Sequence, residues 1–112
     1  MKSPSIRCPV TRTIKAIGGK WKPLVLYHLK GGVRRNGELR RVIPEITQKV
    51  LTQQLREMED DGLVTRKVHA TVPPRVDYSL TELGESLIPI LDAMAAWGIA
   101  HEADFPAVAE ET

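Results

Sequence analysis

Gln48, Lys49, Thr52, Gln53 and Arg56 fall within one face of a helical wheel, because residues three and four apart stack on the same side of a helix. The face holds two amides, a hydroxyl and two cations, and no acid follows until Glu57. Glutamine pairs with an adenine edge, and lysine or arginine with guanine or with phosphate. The chemistry this face offers is therefore nucleic-acid recognition. The competing reading is the solvated side of a core helix. Residues near the start of a recognition helix reach deepest into the groove. Gln48, Lys49, Thr52 and Gln53 are thus the expected base readers, and Arg56 the expected phosphate contact.

Cys8 is the other residue with reactive chemistry. It lies between Arg7 and Arg12 at an expected helix N-terminus, and both features favour the thiolate. As the only cysteine it excludes an intramolecular disulfide and argues against a structural zinc site. His28, His69 and His101 have no metal-ligand spacing with one another or with Cys8, so neither metal nor cofactor is expected. A nucleophilic Cys8 would need a positioned base and an oxyanion site. Only His28 is near in sequence and no catalytic motif accompanies it, so the chain does not read as an enzyme.

The face needs a helix with two marked ends. Thr47 is placed to cap it and Gly62 to close it, with Val50, Leu51, Leu55 and Met58 as the opposite, apolar stripe. Before it, Asn36 is the expected cap of a short helix at about 37–42, with Leu39, Val42 and Ile43 inward and Arg40 and Arg41 elsewhere. Pro44-Glu45-Ile46 is a tight turn between the two. Two short helices so joined, the second polar-faced, make a helix-turn-helix. After Gly62 the period becomes two, with Val64 and Val68 separated by polar residues, then Val76, Tyr78 and Leu80 inward. A loop at 70–74, stiffened by Pro73 and Pro74, joins the strands, so the motif is winged. Arg66, Lys67, His69 and Arg75 sit on or beside the wing. Arg75 reads either as a minor-groove or phosphate contact or as an ion-pair partner of Asp77.

The flanks supply the rest. Residues 1–7 are a loose arm, and Pro9 opens a helix at 9–17 with Val10, Ile14 and Ile17 on one edge. A helix at 20–30 is apolar on most sides, from Trp21 through Leu24, Val25 and Leu26 to Leu29, and reads as the central one. Val33-Arg34 is a very short strand. The helix-turn-helix spans 36–62 and the wing 63–80. Thr81 caps a last helix at 81–101, with Pro89 expected to kink it, and 102–112 is a tail. Leu83, Leu87, Ile90, Leu91, Met94 and Trp97 make this helix too apolar for so small a core, which points to a partner helix.

At 112 residues this is a single domain of α+β class, mostly α. The net charge of +2 conceals an asymmetry: residues 1–56 hold 13 Lys/Arg and 2 Asp/Glu, residues 57–112 hold 3 and 12. A basic first half suits a polyanion. Lys20, Lys22, Arg34, Arg35, Asn36 and Arg40 are its phosphate candidates around the helix-turn-helix. No apolar run is expected to approach a membrane span of about 18 residues, and no signal-peptide pattern opens the chain, so the cytoplasm is the default compartment.

With these pieces placed, the chain resembles the HxlR-type transcriptional regulators, a winged-helix group related to the MarR regulators. The resemblance rests on Cys8-Pro9-Val10, Gly18-Gly19-Lys20-Trp21, Glu38-Leu39-Arg40-Arg41, Leu51 through Val64, and Val72 through Gly84, in that order. It implies a homodimer on an operator with two half-sites. It implies that the first and last helices dimerise, through Val10, Ile14, Leu87, Leu91, Met94 and Trp97. It also implies that Cys8 can sense oxidants or electrophiles; the alternative for Cys8 is a small packing residue at the dimer interface. Two other readings stay open: a regulator answering a small-molecule ligand at the dimer interface, and a winged helix used for protein–protein contact.

Overall fold

The computed structural model describes residues 8–106. The arm at 1–7 with Arg7, and residues 107–112 of the tail, lie outside them. Among the described residues, six helices and one hairpin follow in order: α1 Pro9–Ile17, α2 Lys22–Leu29, α3 Asn36–Val42, α4 Gln48–Asp60, β1 Val64–His69, β2 Arg75–Leu80, α5 Glu82–Glu85 and α6 Ile88–Ala100. The α+β, mostly helical class is as expected.

The core forms where α2, apolar all round, is wrapped by α3, β2 and α6. Val25, Leu26 and Leu29 of α2 meet Leu39 of α3 and Leu51, Leu55 and Met58 of α4 in one fully enclosed cluster. Each such side chain contributes about 1.5–3 kcal/mol by leaving water. β1 and β2 pair antiparallel, Val64 opposite Leu80 through His69 opposite Arg75. The expected short strand at 33–34 is a single bridge, in which Arg34 and Tyr78 exchange backbone hydrogen bonds of 2.9 and 2.8 Å. It fastens the wing base to the end of α2.

Three expectations need correcting. Asn36 is the first residue of α3, and Arg35 is its cap. The Glu38 carboxylate accepts the Arg35 N–H at 2.8 Å and starts the helix one residue early, which frees the Asn36 amide for other work. Val68, which shares the parity of Val64, is exposed, because the hairpin projects past the core and in β1 only Val64 at its root is buried. The last helix is two, α5 and α6, separated at Ser86–Leu87, and Pro89 lies in the first turn of α6. A proline there lacks only an N–H that would be orphaned anyway, so it starts a helix rather than kinking one. Finally, Glu82–Ala100 taken as one run is 19 residues and does reach membrane-span length and apolarity. It carries Asp92, whose carboxylate pairs with Lys30 of α2 at 2.6 Å. A bilayer interior would penalise such an ion pair.

Candidate nucleic-acid interface

Both ends of α4 are fixed as its sequence requires. The Thr47 hydroxyl accepts the Val50 N–H at 3.1 Å. At the other end Gly62 adopts φ +78, a left-handed conformation that glycine takes without penalty. There Leu63 N–H reaches Met58 O at 2.8 Å and Gly62 N–H reaches Glu59 O at 3.0 Å. These two bonds are the Schellman closure. The register of the helix is thereby set from both sides. Val50, Leu51, Leu55 and Met58 turn inward, and Gln48, Lys49, Gln53 and Arg56 are exposed.

All five residues of the polar α4 face, Gln48, Lys49, Thr52, Gln53 and Arg56, line one open hollow of about 550 Å³. A second hollow of about 270 Å³ lies between α4 and the wing, lined by Thr52, Arg56, Glu59, Arg66 and Tyr78. Arg56 borders both. The sequence puts Arg66 only on or beside the wing, apart from the five-residue face. It stands opposite Tyr78 in the ladder. Strand alternation puts it on the face of Val64, toward α4, and that parity was the signal available for it.

At the wing tip the Asp77 carboxylate holds two partners. His69 Nε2 lies 2.8 Å from one oxygen and Arg75 Nε 3.4 Å from the other. Both readings of Arg75 therefore coexist, an ion pair to Asp77 and a half-exposed guanidinium at the tip.

The remaining cations divide. Lys20 is exposed with its ammonium 4.7 Å from the Trp21 ring, and Arg35 and Arg40 are exposed on α3 and its cap. Lys22 and Arg34 are structural pins. Arg34 Nε donates to the His28 carbonyl at 3.2 Å. Lys22, with a side chain only 15% exposed, pairs with Glu57 at 2.9 Å and so ties α2 to α4. The hydrogen bond from Lys22, and then its charge, hold the Glu57 carboxyl below the usual carboxylate range. A depressed carboxylate stabilises the fold above the ordinary glutamate value, about 4.3, and that contribution fades as pH falls through the folded value. Glu57→Gln should therefore lose stability at neutral pH and lose less of what remains on acidification. Urea titrations between pH 3 and 7 check this, and parallel curves for variant and parent would refute it. His28 is held below the ordinary histidine range, first by burial and then by Arg34, so it is neutral at pH 7.

Cys8 is exposed as the cap residue of α1, with its side chain free of any capping bond. Of the expected dimer set, Val10, Ile14, Met94 and Trp97 are exposed, Trp97 at 55%. Leu87 is half-buried against the core, and Leu91 is only 3% exposed and packs inside the protomer. Leu91 therefore cannot face a partner. Ile90 and Ile99 are exposed apolar residues of α6 that were not in the set.

Residues 16–104 match the model of the HxlR-like helix-turn-helix family. The chain belongs to that family. It is a transcriptional regulator of HxlR type, related to the MarR group. A Bacillus subtilis relative, the uncharacterized HTH-type transcriptional regulator YkvN, is 58% identical over 91 residues, covering 81% of this chain and 77% of that one. Among solved structures, the redox regulator HypR in its oxidized form is 53% identical with a TM-score of 0.80, covering 83% of this chain and 96% of that one. A Porphyromonas gingivalis W83 protein assigned to the MarR family is 39% identical, TM-score 0.82, over 88% of this chain and 97% of that one.

Proposed function

We propose that this HxlR-like regulator is a cytoplasmic homodimer that binds a double-stranded operator through two half-sites. The observation that carries the reading is the single hollow lined by Gln48, Lys49, Thr52, Gln53 and Arg56 on a doubly capped helix beside a cationic wing. Dimerisation rests on the exposed apolar edges of α1 and α6. Two copies place two α4 helices on one duplex, and the half-site spacing follows from their separation. A gel-shift titration against duplexes from the flanks of its own gene, over 50–200 mM salt, tests it. Log affinity should fall linearly with log salt, by about 0.9 for each phosphate contacted. Salt-independent binding, or none, would favour the protein-contact reading of the winged helix, and a monomer in sedimentation would remove the two-half-site model.

Regulation is assigned to Cys8. The support is its exposure at the start of α1, next to the dimer edge, and the likeness to HypR, which is described as a redox regulator. With one cysteine per chain, an oxidised disulfide joins two protomers or a protomer and a small thiol. A quinone would take two electrons and two protons from two Cys8 thiols, leaving a disulfide and a hydroquinone. Cys8→Ser should bind DNA like the parent and lose quinone-induced release. If release persists, the sensor lies elsewhere. The apolar hollow of about 320 Å³ between α2 and α6, lined by Pro23, Leu24, Tyr27, His28, Leu91, Met94 and Ala95, is then the place for a small-molecule effector.

A further inference from the structure

Asn36, Arg40 and Thr52 form a hydrogen-bonded chain across the helix-turn-helix. Arg40 Nε donates to Asn36 Oδ1 at 2.9 Å, and Asn36 Nδ2 lies 3.4 Å from Thr52 Oγ1. The direction of this chain is fixed by chemistry. A guanidinium has donors only, so the amide oxygen must face Arg40. The amide nitrogen then faces Thr52, and since it only donates, the hydroxyl oxygen must accept. The Thr52 proton is left over. In a helix it could turn back to the carbonyl four residues earlier, but no such bond forms among the described residues. Thr52 lines both the recognition hollow and the hollow toward the wing.

We propose that Asn36 is a positioning residue that sets the hydrogen-bond polarity of Thr52, making it a donor to an acceptor on the DNA. The inference rests on α4 being the operator-reading helix. The partner of that proton is a phosphate oxygen, a purine N7, guanine O6 or thymine O4; the amino groups of cytosine and adenine offer it no acceptor. Asn36 and Arg40 act through Thr52 in this respect, and Arg40 sets the orientation of the amide.

Asn36→Asp tests the polarity, because a carboxylate only accepts. The Thr52 hydroxyl must then turn to it, and the donor is withdrawn from the DNA. The parent dimer first selects a duplex from a random-sequence library. Affinity for that duplex is measured for Thr52→Val, Asn36→Asp and the double variant. Thr52→Val should bind about three- to tenfold more weakly, the equivalent of one hydrogen bond. Asn36→Asp adds repulsion from phosphate in either background, but costs the donor only when the hydroxyl is present. Its effect should therefore be at least threefold larger on the parent than on Thr52→Val, and Thr52→Ser should keep that excess. An equal effect in both backgrounds overturns the relay. Thermal melts verify folding. If Asn36→Asp is unfolded, the uncharged Asn36→Leu, which leaves the hydroxyl free to rotate, enters the same cycle; its effect should still be larger on the parent than on Thr52→Val, and an equal effect overturns the relay. Failure of the parent to enrich any sequence overturns the DNA-reading assignment itself, and the relay with it.

Discussion

Lys49→Ala and Arg56→Ala should each weaken operator binding at least tenfold while leaving the melting temperature close to that of the parent. Both cations are exposed on α4, and neither makes an ion pair among the described residues. Their removal therefore costs the fold little. Each specific contact of such a side chain carries about 1–3 kcal/mol. The two should differ in kind. Lys49 lies in the first turn of α4, where base edges are within reach, so Lys49→Ala should lose more on the operator than on random duplex. Arg56 stands between the α4 hollow and the wing hollow, a position suited to the backbone. Arg56→Ala should weaken binding to all duplexes alike and reduce the salt slope by about one. Anisotropy titrations on operator and random duplex at several salt concentrations separate these outcomes. Unchanged affinity in both variants would remove α4 as the reading helix.

The five-residue face was legible because it depends on local rules alone. Helical period places the residues together, and Thr47 and Gly62 fix where the helix starts and stops. Family resemblance added the dimer and the operator, which no single helix states. What stayed hidden depends on neighbours distant in sequence. Lys22 and Lys20 look alike in the chain, but Lys22 finds Glu57 thirty-five positions later and becomes a pin. Leu91 and Met94 share one apolar stripe, and only packing against α2 shows that Leu91 belongs to the core. Asn36 reads as a cap in the chain because asparagine favours caps. The Glu38 carboxylate, closing on Arg35, displaced it by one residue, and its amide was left to join Thr52. Val68 follows the alternation of a buried strand, but alternation gives the face and not how far the core extends beneath it.

The other large effect belongs to Gly84, which carries no chemistry. It is buried in α5, and a Cβ there would collide with the carbonyl oxygen of Leu63 and lie 3.2 Å from Leu80 Cδ2. The obstacle is backbone, which cannot rotate aside as a long side chain does. The same carbonyl accepts Thr81 N–H at 3.0 Å, while the Thr81 hydroxyl donates to Gly62 O at 2.6 Å and accepts Gly84 N–H at 3.0 Å. The first turn of α5 is thus stitched to the Schellman end of α4 and to the start of β1. Gly84→Ala must lift α5 away and strain or break those bonds. Overpacking of this kind costs about 1–3 kcal/mol, and with the lost hydrogen bonds a fall in Tm of about 10 °C or more is expected. DNA affinity should fall further than stability alone requires, because the junction sets the angle between α4 and the wing. Gly37→Ala is the control. Gly37 also lies in a helix, its φ is not positive, and nothing stands within 4 Å of an added Cβ. It should melt at or slightly above the parent temperature. Equal melting temperatures for the two variants would mean that α5 does not rest on the end of α4.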